Sequence, residues 1–354
     1  MAVLTSRQQQ PAASQQIHTA RRTRVLVFCG LAVVVVLMAA ASVVIGARTI
    51  PLDTVRQTLF APTEALRSTA DYGIIVTQRL PRTLLALLVG AALGAAGLLM
   101  QTVTRNALAD PGILGVNAGA ALAIAIAVGF AGVTAPIGFI WFGLLGAGIA
   151  SVVVYLFGRG RGRRPDPLTM TLAGVALTAV LSGITAVIGQ LQPQAFDQLR
   201  AWNAGSLQGR GADVLIAVAP FIVLGFVIAF LGNRPMSLLA LGDDVASGLG
   251  VHLGRVRVTT LLAVMLLCGA ATTAAGPIGF VGLMVPHVAR RCFGTSSPAA
   301  LLAGSALFGS VLLTAADVLG RVLYSGELPA GVVTAFIGAP VLVLLARSRK
   351  LREL

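Results

Sequence analysis

VTTLLAVMLLCGAATTAAGPIGFVGLMVPHVA, Val258 to Ala289, decides the fold, because it runs for 32 residues without a charged side chain. As one helix rising 1.5 Å per residue it would reach about 48 Å, against a hydrocarbon core of about 30 Å. That is too long for one crossing and short for two full ones. Gly276-Pro277 breaks the run in its middle, since proline removes a helical hydrogen bond and glycine accepts the turn. A single crossing would put Arg290, Arg291 and the tail cluster Arg347, Arg349, Lys350 and Arg352 on the outer face. Two short crossings keep them inside.

Outward from this stretch, uncharged runs near 25–47, 83–104, 113–133, 136–157, 168–190, 214–232, 299–316 and 329–346 are each long enough for a span. The expected fold is therefore an all-α membrane protein with about ten transmembrane helices. Composition agrees: 56% of 354 residues are hydrophobic, 11% are charged, and the mean hydropathy is +0.90, far from the balance of a soluble domain. The first run follows Arg21, Arg22 and Arg24, is too long for a signal-peptide core and lacks a clear cleavage site. It reads as a retained span. Cys29, Cys268 and Cys292 show neither disulfide nor zinc spacing and read as small hydrophobes.

A net charge of +14 raises nucleic acid or an anionic membrane surface as partners, and the placement of the charges decides between them. With ten spans and an inner N-terminus, inner segments hold 18 of 26 basic residues and 5 of 12 acids, a net +13, while outer segments carry a net +1. Cytoplasmic loops are expected to hold that excess. Both termini are then cytoplasmic, and GRGRGRRPDP, Gly158 to Pro167, is a topogenic inner loop with no nucleic-acid role. The domain reading is a basic tail at 1–24, a ten-span domain at 25–346 with a cytoplasmic loop at 233–257, and a basic tail at 347–354.

Gradient-driven carriers place titratable groups in mid-span for ion relay. Here Asp110, Asp166, Asp213 and Asp317 fall at span ends or in loops, and the mid-span polar groups are Gln101, Ser182 and Thr185. The stripe Gly90, Gly94, Gly97 is suited to close helix packing in lipid. The chain has one lysine, Lys350, so it has no phosphate-binding G-x-x-x-x-G-K-[ST] loop. Any ATP must be hydrolysed by another subunit. The inner stretch LALGDDVASGLGV, Leu239 to Val251, offers a handle: Gly242 allows a turn, Asp243 can cap a short helix, and Gly250 can end it.

Four strings carry a family resemblance: RLPRTLLALLVGAALGAAGLLMQTVTRNALADPGILGVNAGAALA (Arg79 to Ala123), MSLLALGDDVASGLGV (Met236 to Val251), AAGPIGFVGLMVPHVARR (Ala274 to Arg291) and ADVLGRVLYSGELPAGVVTAFIGAPVLVLLAR (Ala316 to Arg347). The chain resembles the FecCD-type permease subunits of importers for iron–siderophore, haem and cobalamin, over nearly its whole length after Leu52. The resemblance implies a BtuC-like permease fold in the cytoplasmic membrane, paired with a second permease copy, identical or similar. It also implies two cytoplasmic ATPase subunits and an extracytoplasmic substrate-binding protein. ATP and Mg would sit on the ATPases, with no cofactor, catalytic residue or metal site in this chain. A ferric siderophore is the leading substrate, cobalamin or haem the alternative. A gradient-driven carrier and a scaffold that moves nothing are the readings from other classes.

The resemblance also assigns residues. Gly242, Asp243, Asp244, Ala246, Gly248 and Gly250 match the element that docks on the ATPase. Arg79, Arg82 and Arg321 match arginines that receive acidic side chains from the binding protein, a pairing that favours the guanidinium fork. A local alternative for Arg321 is an ion pair with Asp317 at i−4. The path and its inner gate map to Gln101, Asn106, Leu108, Leu168 and Thr169, next to Pro167. Family members commonly have Asn-Pro where this chain has Asn106-Ala107, and cobalamin permeases often have hydroxyl residues where Pro167 and Leu168 stand. His287, lone and near a span end, reads as structural.

Overall fold

The computed structural model describes residues 10–133, 135–159, 167–239, 242–294, 297–324 and 326–347, which form helices and connectors with no strand among the described residues. The helices are α1 (Gln10–Val44), α2 (Leu52–Phe60), α3 (Glu64–Arg67), α4 (Ala70–Gly73), α5 (Leu80–Thr104), α6 (Val116–Ala131), α7 (Pro136–Arg159), α8 (Pro167–Leu191), α9 (Pro193–Asn203), α10 (Ala212–Leu231), α11 (Asn233–Leu239), α12 (Asp243–Gly248), α13 (Leu253–Ala275), α14 (Val281–Phe293), α15 (Pro298–Leu323) and α16 (Ala330–Arg347). A π-helical stretch, Ile74–Arg79, joins α4 to α5.

Each expected crossing has a helix: α1, α5, α6, α7, α8, α10, α13, α14, α15 and α16. Seven are long and apolar enough to cross alone, while the apolar helices Val116–Ala131 and Ala330–Leu344 are shorter. The two crossings read in Val258–Ala289 are unequal. α13 is a full 23 residues because it begins at Leu253 and takes Arg255 and Arg257 into its first two turns, where long side chains can reach the interface. α14 has 13 residues, about 20 Å, and is a partial crossing. The break falls where expected: Gly276 closes α13 at φ +79°, and Phe280 at φ +68° opens α14.

α5 is the central post, packed against α15, α13, α14 and α10. Its small residues make this possible. A Cβ on Gly90 would overlap the carbonyl of Gly309, one on Gly94 that of Ser305, and one on Gly97 that of Gly282. Backbones therefore meet directly, the contact that drives helix association where lipid offers no hydrophobic contrast. α6 and α7 use the same device at Gly119 and Gly146.

The 83–104 run marks only part of its helix. Helical structure begins at Ala70, because the arginines that hide its start in the sequence are accommodated inside the protein, Arg82 by ion pairing and Arg79 by backbone carbonyls. The amphipathic α9 is a second feature absent from the span count. It buries Ala195, Leu199 and Trp202 and leaves its polar residues outward, and Trp202 reaches the carbonyl of Thr273 near the end of α13.

Candidate translocation, coupling and docking sites

A cavity of about 620 Å³ lies beside α8 and α9. Its α8 wall carries Thr178, Ser182, Thr185 and Gly189, at i, i+4, i+7 and i+11, one stripe of a 3.6-residue helix. Asn117 and Ala121 of α6, Phe196, Arg200 and Asn203 of α9, and Pro277 of the α13–α14 break are also in the lining. It is a hollow with hydroxyl and amide groups on an apolar ground, the usual composition of a small-molecule site. Ser182 and Thr185 stand out in sequence as mid-span polar groups; Asn203 and Arg200 do not, because they belong to α9.

Of the path residues assigned from sequence, Gln101, Asn106 and Leu108 adjoin at the end of α5, the Asn106 N–H on the Gln101 carbonyl at 3.2 Å, while Leu168 and Thr169 lie at the start of α8. Leu168 is 68% exposed at the start of α8, with Thr169 exposed beside it. Asn106 and Leu108 sit in the α5–α6 connector, where the Asn106 side-chain oxygen accepts from the Leu108 N–H at 2.9 Å. Gln101 does not line the cavity beside α8 but lines a second one, of about 260 Å³, with Thr102, Ala107, Asn233 and Arg290. It is buried, its Nε2 donates to the Leu283 carbonyl at 3.2 Å, and its Oε1 accepts from Arg290 Nη1 at 2.7 Å. In the last turn of α5, this amide ties α5 to α14 and so has its hydrogen bonds satisfied within the protein. His287 behaves as a structural residue, with Nε2 3.0 Å from the Ala107 carbonyl.

The α5–α6 connector folds back into the bundle. Asp110 shares a small hollow with Leu93, Cys268 and Gly282, all from helices that cross, although in sequence it is a loop residue. Its Oδ1 accepts from the Gly112 N–H at 2.8 Å, closing the turn that leads into α6.

The coupling stretch forms the expected short helix, α12, with one change. Gly242, at φ +112°, occupies the capping position, and Asp243 is the first helical residue. The turn needs a backbone conformation that only glycine adopts readily, so it precedes the acid. The side chain of Asp243 lies outside the described residues. Gly250, at φ +80°, ends the helix, its N–H on the Ser247 carbonyl. Ala246 is fully buried toward the body, while Asp244, Val245, Gly248 and Leu249 are exposed. One face is anchored and the other free. Most of the arginine-rich segment, residues 160–166, also lies outside the described residues.

The three arginines assigned to docking converge, and in this chain each is held by internal partners. Arg79 is 5% exposed and donates through Nη1 to the carbonyls of Val43 at 3.0 Å and Val44 at 2.6 Å. Arg321 donates to the carbonyls of Ser42 at 2.7 Å and Ile45 at 3.0 Å. These are the carbonyls that the end of α1 leaves unpaired. Asp317 pairs with both Arg321 and Arg82, and Arg82 reaches Glu327 at 2.7 Å. The local ion pair read for Arg321 is present. It is buried, and so is not the weak surface pair that spacing alone suggests.

Comparison with known proteins agrees with this architecture. The family description "FecCD transport family" matches residues 31–348. The chain is 44% identical over 331 residues to the ferric enterobactin transport system permease protein FepD of Escherichia coli (strain K12), covering 92% of this chain and 96% of that one. It is 41% identical over 275 residues to the Fe(3+)-citrate import system permease protein YfmD of Bacillus subtilis (strain 168), covering 77% and 81%. A solved structure described as an inward-facing conformation of a metal-chelate type ABC transporter superposes with a TM-score of 0.78 at 26% identity, covering 90% of this chain and 98% of that one. The chain, a multi-pass membrane protein with the helix order its sequence implies, belongs to the FecCD transport family.

Proposed function

We propose that this chain is the permease subunit of an ATP-driven importer that carries a ferric siderophore across the cytoplasmic membrane. The observation that carries the reading is the 44% identity, over almost the full length of both chains, to a ferric enterobactin permease. The 620 Å³ hollow beside α8 supports it, being within the size range of small-molecule sites.

In this reading two permease copies face each other across α8, whose Val180, Ile184, Val187 and Leu191 form an exposed apolar stripe beside the hollow. The ten-span domain at 25–346 has both tails, 1–24 and 347–354, in the cytoplasm. Two ATPases, holding ATP and Mg, grip the free face of α12, and movement passes through buried Ala246 into α11 and α13. A substrate-binding protein delivers the chelate to the opposite side. Of the outer arginines, Arg82 keeps 12% side-chain exposure, and an incoming acid would reach it by displacing Glu327.

The test is reconstitution in liposomes with a cognate ATPase and binding protein. Uptake of a radio-iron siderophore should require ATP and survive an uncoupler. Uptake that runs without the ATPase and collapses with the uncoupler would replace this reading with a gradient-driven carrier.

A further inference from the structure

The hollow beside α8 contains one charged side chain among its described lining residues, Arg200. Arg200 lies one helical turn beyond Phe196 on α9, and both line the hollow, so a guanidinium and an aromatic ring stand side by side on one helix face. Phe196 is 53% exposed, and Arg200 is exposed with no ion pair or hydrogen bond to another described residue. Asp197, on the same helix, is outside the lining. The other walls present Thr178, Ser182, Thr185 and Asn117, all uncharged.

We infer that Arg200 with Phe196 forms a selectivity element for net-negative, aryl-bearing ferric chelates of the tris-catecholate class. The inference rests on the reading of this hollow as part of the chelate's path. A tris-catecholate of ferric iron carries three negative charges beside three aromatic faces. The guanidinium answers the charge and the ring answers the faces. A neutral tris-hydroxamate offers neither. The hydroxyls and amides of the facing walls supply hydrogen bonds that any oxygen-rich chelate can use, so they add capture without selection. The two halves of a facing pair would double the positive charge around one ligand, which raises local anion concentration in a site with low-dielectric walls.

The experiment uses the complete permease–ATPase complex in nanodiscs and reads ligand binding by quenching of tryptophan fluorescence. The probes are a ferric tris-catecholate of net charge −3 and a neutral ferric tris-hydroxamate. Wild type should bind the anionic chelate at least about tenfold more tightly. Arg200→Gln should erase that preference, Arg200→Glu should reverse it, and Arg200→Lys should retain part of it. The neutral chelate's Kd should move less than about twofold throughout. Raising salt to 0.5 M should shrink the wild-type preference. Phe196→Leu should weaken the catecholate alone, separating the ring's share from the charge's. Equal weakening of both chelates in Arg200→Gln, or an unchanged preference, overturns the assignment while leaving the importer reading in place. Wild type binding neither chelate while taking up cobalamin or haem overturns both.

Discussion

Arg82 grips Asp317 with two nitrogens, Nε at 3.1 Å and Nη2 at 2.8 Å, across 235 residues of chain. The same carboxylate also holds Arg321, one turn further along α15. Asp317 is thus the single acid between two buried guanidiniums, with its side chain only 1% exposed.

Removing it should be severe. Asp317→Ala leaves Arg82 with Glu327 alone and Arg321 without an acid, and breaking one side of a buried pair costs about 3–5 kcal/mol. Thermal unfolding of the detergent-solubilised protein should show a large loss, and Asp317→Asn a smaller one, because the amide keeps the hydrogen-bond acceptor. A loss below about 1 kcal/mol for the alanine variant would mean that the cluster is solvated.

The glycine contacts of α5 separate close approach from mere helix propensity. Gly97→Ala drives a methyl into the Gly282 carbonyl, and the obstacle is backbone that cannot rotate away. The cost should reach or exceed about 3 kcal/mol, the upper end for overpacking. Gly254→Ala, on the exposed start of α13 with open space around its Cβ, should instead stabilise by about 0.5–1 kcal/mol. Comparable effects at the two positions would rule out direct backbone contact at Gly97.

Much of this architecture was legible because each crossing is written as an uncharged run, and lipid leaves few alternatives to a helix. The break at Gly276-Pro277 was legible for the same reason, as were the bounds of α12, set by Gly242 and Gly250. Charge misled at helix starts: Arg79, Arg82, Arg255 and Arg257 lie within helical stretches whose apolar runs begin later, Arg82 ion-paired inside the protein, Arg79 held by backbone carbonyls and Arg255 exposed. Gln101 shows the limit of the sequence, since a polar residue in an apolar run signals a path or a tie, and only the structure supplies its partners on α14. α9 was missed because an amphipathic helix of 11 residues with few apolar positions resembles a polar loop. With it went Arg200 and Asn203.

The coupling face of α12 can be probed without touching the fold. Asp244, Val245 and Leu249 are exposed, so their replacement should change permease stability by no more than about 0.5 kcal/mol. Asp244→Lys combined with Val245→Glu should reduce copurification of the ATPase at least tenfold and abolish substrate-stimulated hydrolysis. Charge reversal at Asp243 should act in the same direction. Ala246→Leu is the contrasting variant, because it overfills a fully buried site and should lower permease stability as well as coupling. Normal ATPase association in the Asp244/Val245 double variant would remove α12 from the interface.

Orientation follows from the charge asymmetry, and single cysteines can read it. Cys29 and Cys292 are exposed and Cys268 is buried, so a background with Cys29→Ala and Cys292→Ala leaves one inaccessible thiol. Ser68, between the short helices α3 and α4, and Ser247, on α12, are both exposed, so accessibility in the fold does not limit either label. In intact cells a membrane-impermeant maleimide should modify Ser68→Cys and spare Ser247→Cys. After permeabilisation both should react. The contrast is informative because the segments read as inner carry a net +13 against +1 for those read as outer, and basic residues resist translocation. Labelling of Ser247→Cys from outside would invert the protein and separate α12 from any cytoplasmic ATPase.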